Sequence, residues 1–142
     1  MTDPVTTGPT TSLLHTPALA QALRTHARGL HPDEAAIEFL ISHNVFLRRS
    51  DFTARFIEPS RHPTDGTPMA AIDWPAAITA LDYGHLPCSS GEEQMLRLAA
   101  SLGEGLPVSL RDALTSIDSR GINLLIKAVL HTTGQRPPPL TP

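Results

Sequence analysis

Cys88 is the only cysteine of the chain, and it follows His85 in the stretch HLPCSSGEE. A His-x-x-Cys pair has the spacing of half a zinc site, but a tetrahedral site needs two more ligands. The other histidines are dispersed along the sequence, so no metal site is expected. A thiol beside a helix N-terminus has a lowered pKa, which makes Cys88 a candidate reactive thiol. A single cysteine excludes an intramolecular disulfide.

The residues after Cys88 have the types found at phosphate-binding helix starts. In SSGEEQMLRLAASL, serine and glycine precede a leucine-rich helix, and this resembles the signature loop of ABC-type ATPases. Downstream, LTSIDSRGINLL resembles the segment after their Walker B strand, with Ser116, Ile117 and Asp118 as the matching residues. The resemblance implies that helix N–H groups contact a nucleotide γ-phosphate across a dimer.

The sequence lacks the other parts that nucleotide chemistry needs. A GxxxxGK[ST] loop must wrap the phosphates, yet the only lysine, Lys127, lies in an apolar helix and follows no glycine loop. Ser89 and Glu92 instead have the S-x-x-E spacing of a capping box, in which each side chain bonds the other residue's backbone N–H. We therefore predict a helix cap and expect no nucleotide.

Arginine and phenylalanine interleave between residues 46 and 56. Such interleaving can bind single-stranded nucleic acid by stacking and phosphate contact. Phe52 and Phe56 are four residues apart, as core residues of a helix would be, so we favour core phenylalanines beneath a solvated arginine rim. The candidate surface for nucleic acid or a protein partner comprises Arg48, Arg49, Arg55, Arg61 and Arg111.

Two stretches could form a DNA-binding unit. LRLAASLGEGLPVSLRDAL predicts two helices, but its turn is longer than the usual helix-turn-helix connection, and nearby Asp112 and Asp118 repel phosphate. Alternatively, helices 17–28 and 33–43 precede a hairpin wing tipped by Arg61 and His62. The net charge of −3 is unusual for proteins that bind mainly phosphates. A helix-turn-helix or winged-helix DNA-binding protein is the alternative function.

Helical periodicity dominates the central part of the chain. Apolar residues recur at i, i+3, i+4 and i+7 in three segments, which are Met95–Leu102, Leu110–Ile117 and Ile122–Val129. Further helices are expected over 17–28, 33–43 and 74–84. Each amphipathic helix is expected to bury its apolar stripe against the others.

A turn signal interrupts the helices. Asp65-Gly66 favours a tight turn, and the prolines at 59, 63 and 68 confine any strand there to a sheet edge. The sequence therefore predicts a mainly α fold, as a single compact domain of five or six helices with a short β-hairpin around residues 54–73.

The length of 142 residues suits one domain. Residues 1–12 are rich in Thr, Pro and Gly, and residues 135–142 read QRPPPLTP, so both are predicted to be disordered tails around a helical domain at 13–134. No apolar run approaches the ~18 residues of a membrane span. The N-terminus has no signal-peptide pattern, so a cytoplasmic location is expected.

Four phrases, LRRSDFTARFI, AIDWPAAITAL, PCSSGEEQMLRLAASL and GLPVSLRDALTSID, are similar to those of small actinomycete bacterial proteins of uncharacterised activity. That resemblance implies no activity and no site. Paired carboxylates, a Gly-x-Ser-x-Gly elbow and a dinucleotide loop are all absent from the sequence. We therefore expect a small cytoplasmic, non-catalytic interaction or regulatory protein without a cofactor, with a protein partner or as a homodimer.

Overall fold

The computed structural model describes residues 16–135, which contain seven α-helices and one antiparallel hairpin. The elements are α1 (Thr16–Ala27), α2 (His31–His43), α3 (Ser50–Phe56), β1 (Ile57–Arg61), β2 (Pro68–Ile72), α4 (Trp74–Asp82), α5 (Ser90–Glu104), α6 (Leu110–Ser116) and α7 (Ser119–Thr132). The predicted mainly helical single domain with a short hairpin is confirmed. Short helix α3 brings the number above the predicted five or six.

The two predicted tails lie outside the described residues, except for Gln135 at the end of the described range. Within that range, no helix is both long and apolar enough to cross a membrane.

Helix α2 lies at the centre of the fold. Its sequence, HPDEAAIEFLISH, is apolar over much of its circumference, and its buried residues are Ala35, Ala36, Ile37, Phe39 and Leu40. Helices α5 and α7 both pack against it, and α1 contacts it as well. A helix that is apolar on several sides belongs in the interior, because each side needs an apolar neighbour.

The hairpin lies against α1 through its second strand. Ile57 pairs with Ile72 and Arg61 pairs with Pro68, so the prolines stand in a two-stranded ribbon where free edges tolerate them. Gly66 has φ +74° in the connecting turn, a conformation that favours glycine. The predicted Asp65-Gly66 turn is confirmed.

The phenylalanines around α3 form part of the core. Phe46, Phe52 and Phe56 are buried, and successive ring centroids lie 5.3 Å apart. Tilted aromatic pairs at that separation are favourable beyond their buried area. The prediction that these residues are core phenylalanines is confirmed.

Candidate functional site

Helices α6 and α7 carry much of the exposed apolar surface. Among the described residues, six large hydrophobic side chains are exposed, and four of them belong to these two helices. Leu110 and Leu114 of α6 are 59% and 47% exposed, and Ile126 and Val129 of α7 are 52% and 48% exposed. We call these four residues the α6–α7 apolar surface.

Helix α7 exposes Ile126 and Val129 because its apolar arc is wider than the contact made by its neighbours. Gly121 and Ala128 are its buried residues, and they lie seven positions apart, on one line along the helix. Each residue advances about 100° around the axis, which takes Ile126 well away from that line. The prediction that the whole stripe from Ile122 to Val129 is buried is therefore wrong.

Helix α6 exposes its apolar residues because it is short. It has seven residues, and Ala113 is the one it buries. Leu110 and Leu114 lie one turn apart and are both largely in solvent. The prediction that they join the core with Ala113 is wrong, since a short helix offers its neighbour α5 only one side.

The fixed charges of α7 all have one sign. Its sequence, SRGINLLIKAVLHT, contains Arg120 and Lys127 and no carboxylate. The Arg120 guanidinium donates a hydrogen bond to the carbonyl of Ser42 on α2, and it lines the same cleft as the carboxylates of Glu92 and Asp118. Arg111, on α6, is exposed and adjoins Asp112, so that helix is neutral.

Two of the predicted surface arginines hold the loop that leads into α5. Arg49 Nη1 donates to the carbonyl of Pro87 over 2.8 Å, while its Nε and Nη2 bind both oxygens of Asp51. Arg55 Nη1 donates to the carbonyl of His85 over 2.9 Å. Both guanidinium groups thus stabilise the loop before α5.

The other predicted arginines lie on separate elements. Arg48 is exposed in a short 3₁₀ turn, Phe46–Arg48, before α3. Arg61 Nη1 donates to the carbonyl of Gly66 over 3.0 Å and stabilises the hairpin turn. Arg111 is on α6, far along the chain from both. Three of the five arginines therefore donate to backbone carbonyls of the fold.

Cys88 is half-buried in the loop before α5. Burial raises the pKa of its thiol, and the charges of Glu93 and Glu92 raise it further, while Arg49 opposes them. The expectation of a lowered pKa is wrong, because burial and then the nearby carboxylates raise the pKa of this thiol. The thiolate that nucleophilic and redox reactions require is therefore disfavoured.

The capping box at the start of α5 is confirmed. The backbone N–H of Glu92 donates to Ser89 Oγ over 3.1 Å, and the N–H of Ser89 donates to Glu92 Oε1 over 2.9 Å. At α7, the N–H of Gly121 donates to Asp118 Oδ1 over 2.8 Å. Each N-terminus is thus occupied by a side chain of the protein itself.

Both segments that resemble ATPase loops line one cleft of about 280 Å³. Gly91 comes so close to the other segment that an added Cβ would lie 3.1 Å from the Ser116 carbonyl oxygen. Glu92 and Asp118 bring carboxylates to this cleft, and carboxylates repel phosphate. Their caps also use N–H groups that a phosphate would need. The cleft therefore does not favour an anionic ligand.

Two cleft residues were not singled out from the sequence. His43 comes from the end of α2, and Arg120 from the first turn of α7. Burial, followed by the charge of Arg120, lowers the pKa of His43. Its Nδ1 atom is buried without a hydrogen-bond partner, so the neutral imidazole is favoured. Tertiary packing alone brings these groups beside the two caps.

The chain matches no protein-family model, no curated protein and no solved structure. Its function must therefore be inferred from its own residues. The α6–α7 apolar surface is the strongest feature for that purpose, because Ser89, Glu92 and Asp118 of the cleft are engaged in capping.

Proposed function

We propose that this chain is a small, non-catalytic interaction or regulatory protein of the cytoplasm. It binds a protein partner through the α6–α7 apolar surface. The observation that carries the proposal is the concentration of exposed Leu110, Leu114, Ile126 and Val129 on two consecutive helices. Grouped exposed apolar side chains are a feature of protein interaction sites.

The energy available at this surface suits a binding role. Fully burying a Leu, Ile or Val side chain stabilises by about 1.5–3 kcal/mol, and these four are already about half covered. Completing their burial would therefore contribute about 1 kcal/mol each. A partner that covers all four side chains would gain the full amount, and one that covers only α6 or only α7 would gain less.

Photo-crosslinking in the native host tests the proposal. A photoreactive amino acid at Ile126 or Leu114 should give a heavier covalent adduct on a denaturing gel after irradiation. Tyr83 is the matched control, because it is 72% exposed but lies outside α6 and α7. Equal adducts at Tyr83, or none at Ile126 and Leu114, would contradict the proposal.

DNA binding is the second candidate, and the exposure of α6 with Arg111 is the observation that favours it. Helix α2 is a poor recognition helix in comparison, because α1, α5 and α7 all pack against it. Retention on DNA at low salt, reduced by Arg111→Ala and by added salt, would support this alternative. Retention that Arg111→Ala leaves unchanged would count against it.

A further inference from the structure

We infer that the partner presents an amphipathic helix with acidic residues along one edge, and that this helix lies along α7. The inference rests on the proposed function and names the chemistry of the partner. Two observations carry it: the spacing of the apolar residues that α7 exposes and the charges that accompany them.

The apolar residues of α7 have the spacing that helix recognition uses. Ile122, which is half-buried, is followed by Ile126 and Val129 at i+4 and i+7. Two helices pack against each other along apolar residues that repeat at about this spacing. The 14 residues of α7 extend for about 21 Å, enough for about four turns of a partner helix.

Helix α6 supplies more apolar surface close to the start of α7. Only Ile117 and Asp118 separate the two helices, so their ends are at most about 11 Å apart. Leu114 lies in the last turn of α6 and is 47% exposed. Leu114 is thus close along the chain to the start of α7.

A positive charge flanks the strip formed by Ile122, Ile126 and Val129 of α7. Lys127 follows Ile126 directly, so it lies about 100° further around the helix, on the edge of the strip. Glu38 of α2 lines the groove beside Lys127, but both its oxygens accept hydrogen bonds from Arg24, over 2.6 and 3.1 Å. Among residues 16–135, no carboxylate pairs with Lys127, which can therefore attract a carboxylate of the partner.

The same charges disfavour a second copy of this chain. A symmetric contact places the same patch of each subunit against the other. Pairing α7 with α7 would then place the positive charges of both copies at one contact, with no carboxylate on either helix. A different helix with acidic residues along one edge would instead be attracted by the positive side chains of α7.

Two synthetic helical peptides test the inference on the full chain. Both carry leucines at i, i+4 and i+7, and they differ only in having Glu or Lys at the flanking positions. Fluorescence anisotropy at low ionic strength should show the Glu peptide binding about tenfold more tightly. Lys127→Glu should reverse the preference, and Ile126→Asp should abolish binding. Tyr83→Asp is the matched control and should change neither peptide's affinity.

Equal binding of the two peptides, or a preference unaffected by Lys127→Glu, would overturn the inference. Sedimentation velocity tests whether a second copy of the chain binds this surface instead. A dimer that Ile126→Asp dissociates would show that it does, and would also overturn the inference. Crosslinked adducts at Ile126 together with equal peptide binding would refute only the acidic partner. Absent adducts would instead refute the proposed function.

Discussion

Helices α5 and α7 look alike in sequence and differ in the structure. They have 15 and 14 residues, each begins with a side-chain cap, and each has one apolar stripe. Helix α5 buries five residues, which are Met95, Leu96, Leu98, Ala99 and Ala100. Helix α7 buries only Gly121 and Ala128.

The difference comes from the neighbours of each helix. Helix α5 packs against α2, α4 and α6, whereas the main contact of α7 is α2. An apolar stripe therefore stabilises the fold in α5, while in α7 a large part of it remains available for binding. Amphipathicity shows which side of a helix avoids water, and the surrounding elements determine how much of that side is covered.

Truncating one leucine in α5 should have the largest effect. Leu96 is fully buried, so Leu96→Ala should lower the free energy of unfolding by about 3 kcal/mol through lost burial and a cavity. Ile126→Ala in α7 should cost less than about 1 kcal/mol, because about half of that side chain is already in solvent. Urea denaturation of both variants measures the contrast. Similar losses would mean that the two helices are equally covered.

Gly103 tests how closely α5 packs. An added Cβ would lie 2.7 Å from Trp74 Nε1 and 3.2 Å from Ala36 Cβ, and the indole is buried. Gly103→Ala should therefore destabilise the protein by about 1–3 kcal/mol, although alanine is the better helix former. Ser101→Ala on the same helix is the control and should be nearly neutral. A stabilised Gly103→Ala would show that this contact is loose.

The caps should make similar contributions in both helices. Ser89→Ala and Asp118→Ala each remove a side-chain acceptor for a backbone N–H, so each should cost about 1 kcal/mol. Ser90→Ala and Ser119→Ala, one residue later, should change thermal stability little. A much larger loss for Ser89→Ala than for Asp118→Ala would mean that the starts of the two helices differ as well as their packing.

The pH dependence of stability should be the smallest effect, and it concerns the place where α5 and α7 begin. Burial lowers the pKa of His43 in the folded protein, while the unfolded chain binds its proton at about pH 6.5. Stability should therefore be full above that pH and decrease as pH falls through the lower folded-state pKa. His43→Gln should reduce this slope between pH 7 and 5 in denaturant titrations. His26→Gln, an exposed control on α1, should preserve it.

Several parts of the fold could be predicted from short stretches of sequence. The capping box of Ser89 and Glu92, the Asp65-Gly66 turn and the proximity of Phe52 to Phe56 all involve residues at most four positions apart. Interactions of that range depend mainly on local backbone geometry. The α6–α7 apolar surface is not predicted, because an amphipathic stripe normally indicates burial. The apolar runs at 124–126 and 128–130 did signal an arc too wide for one neighbour.

The amino-acid sequence thus accounts for where helices start and which sides are apolar, because those properties arise between residues one or two turns apart. Contacts between distant residues accounted for the rest. They include the coverage of α5 by three helices, the buried Nδ1 of His43 beside the two caps and the burial that raises the pKa of Cys88. Burial and electrostatic environment depend on which elements meet in space, and local periodicity carries no information about those meetings.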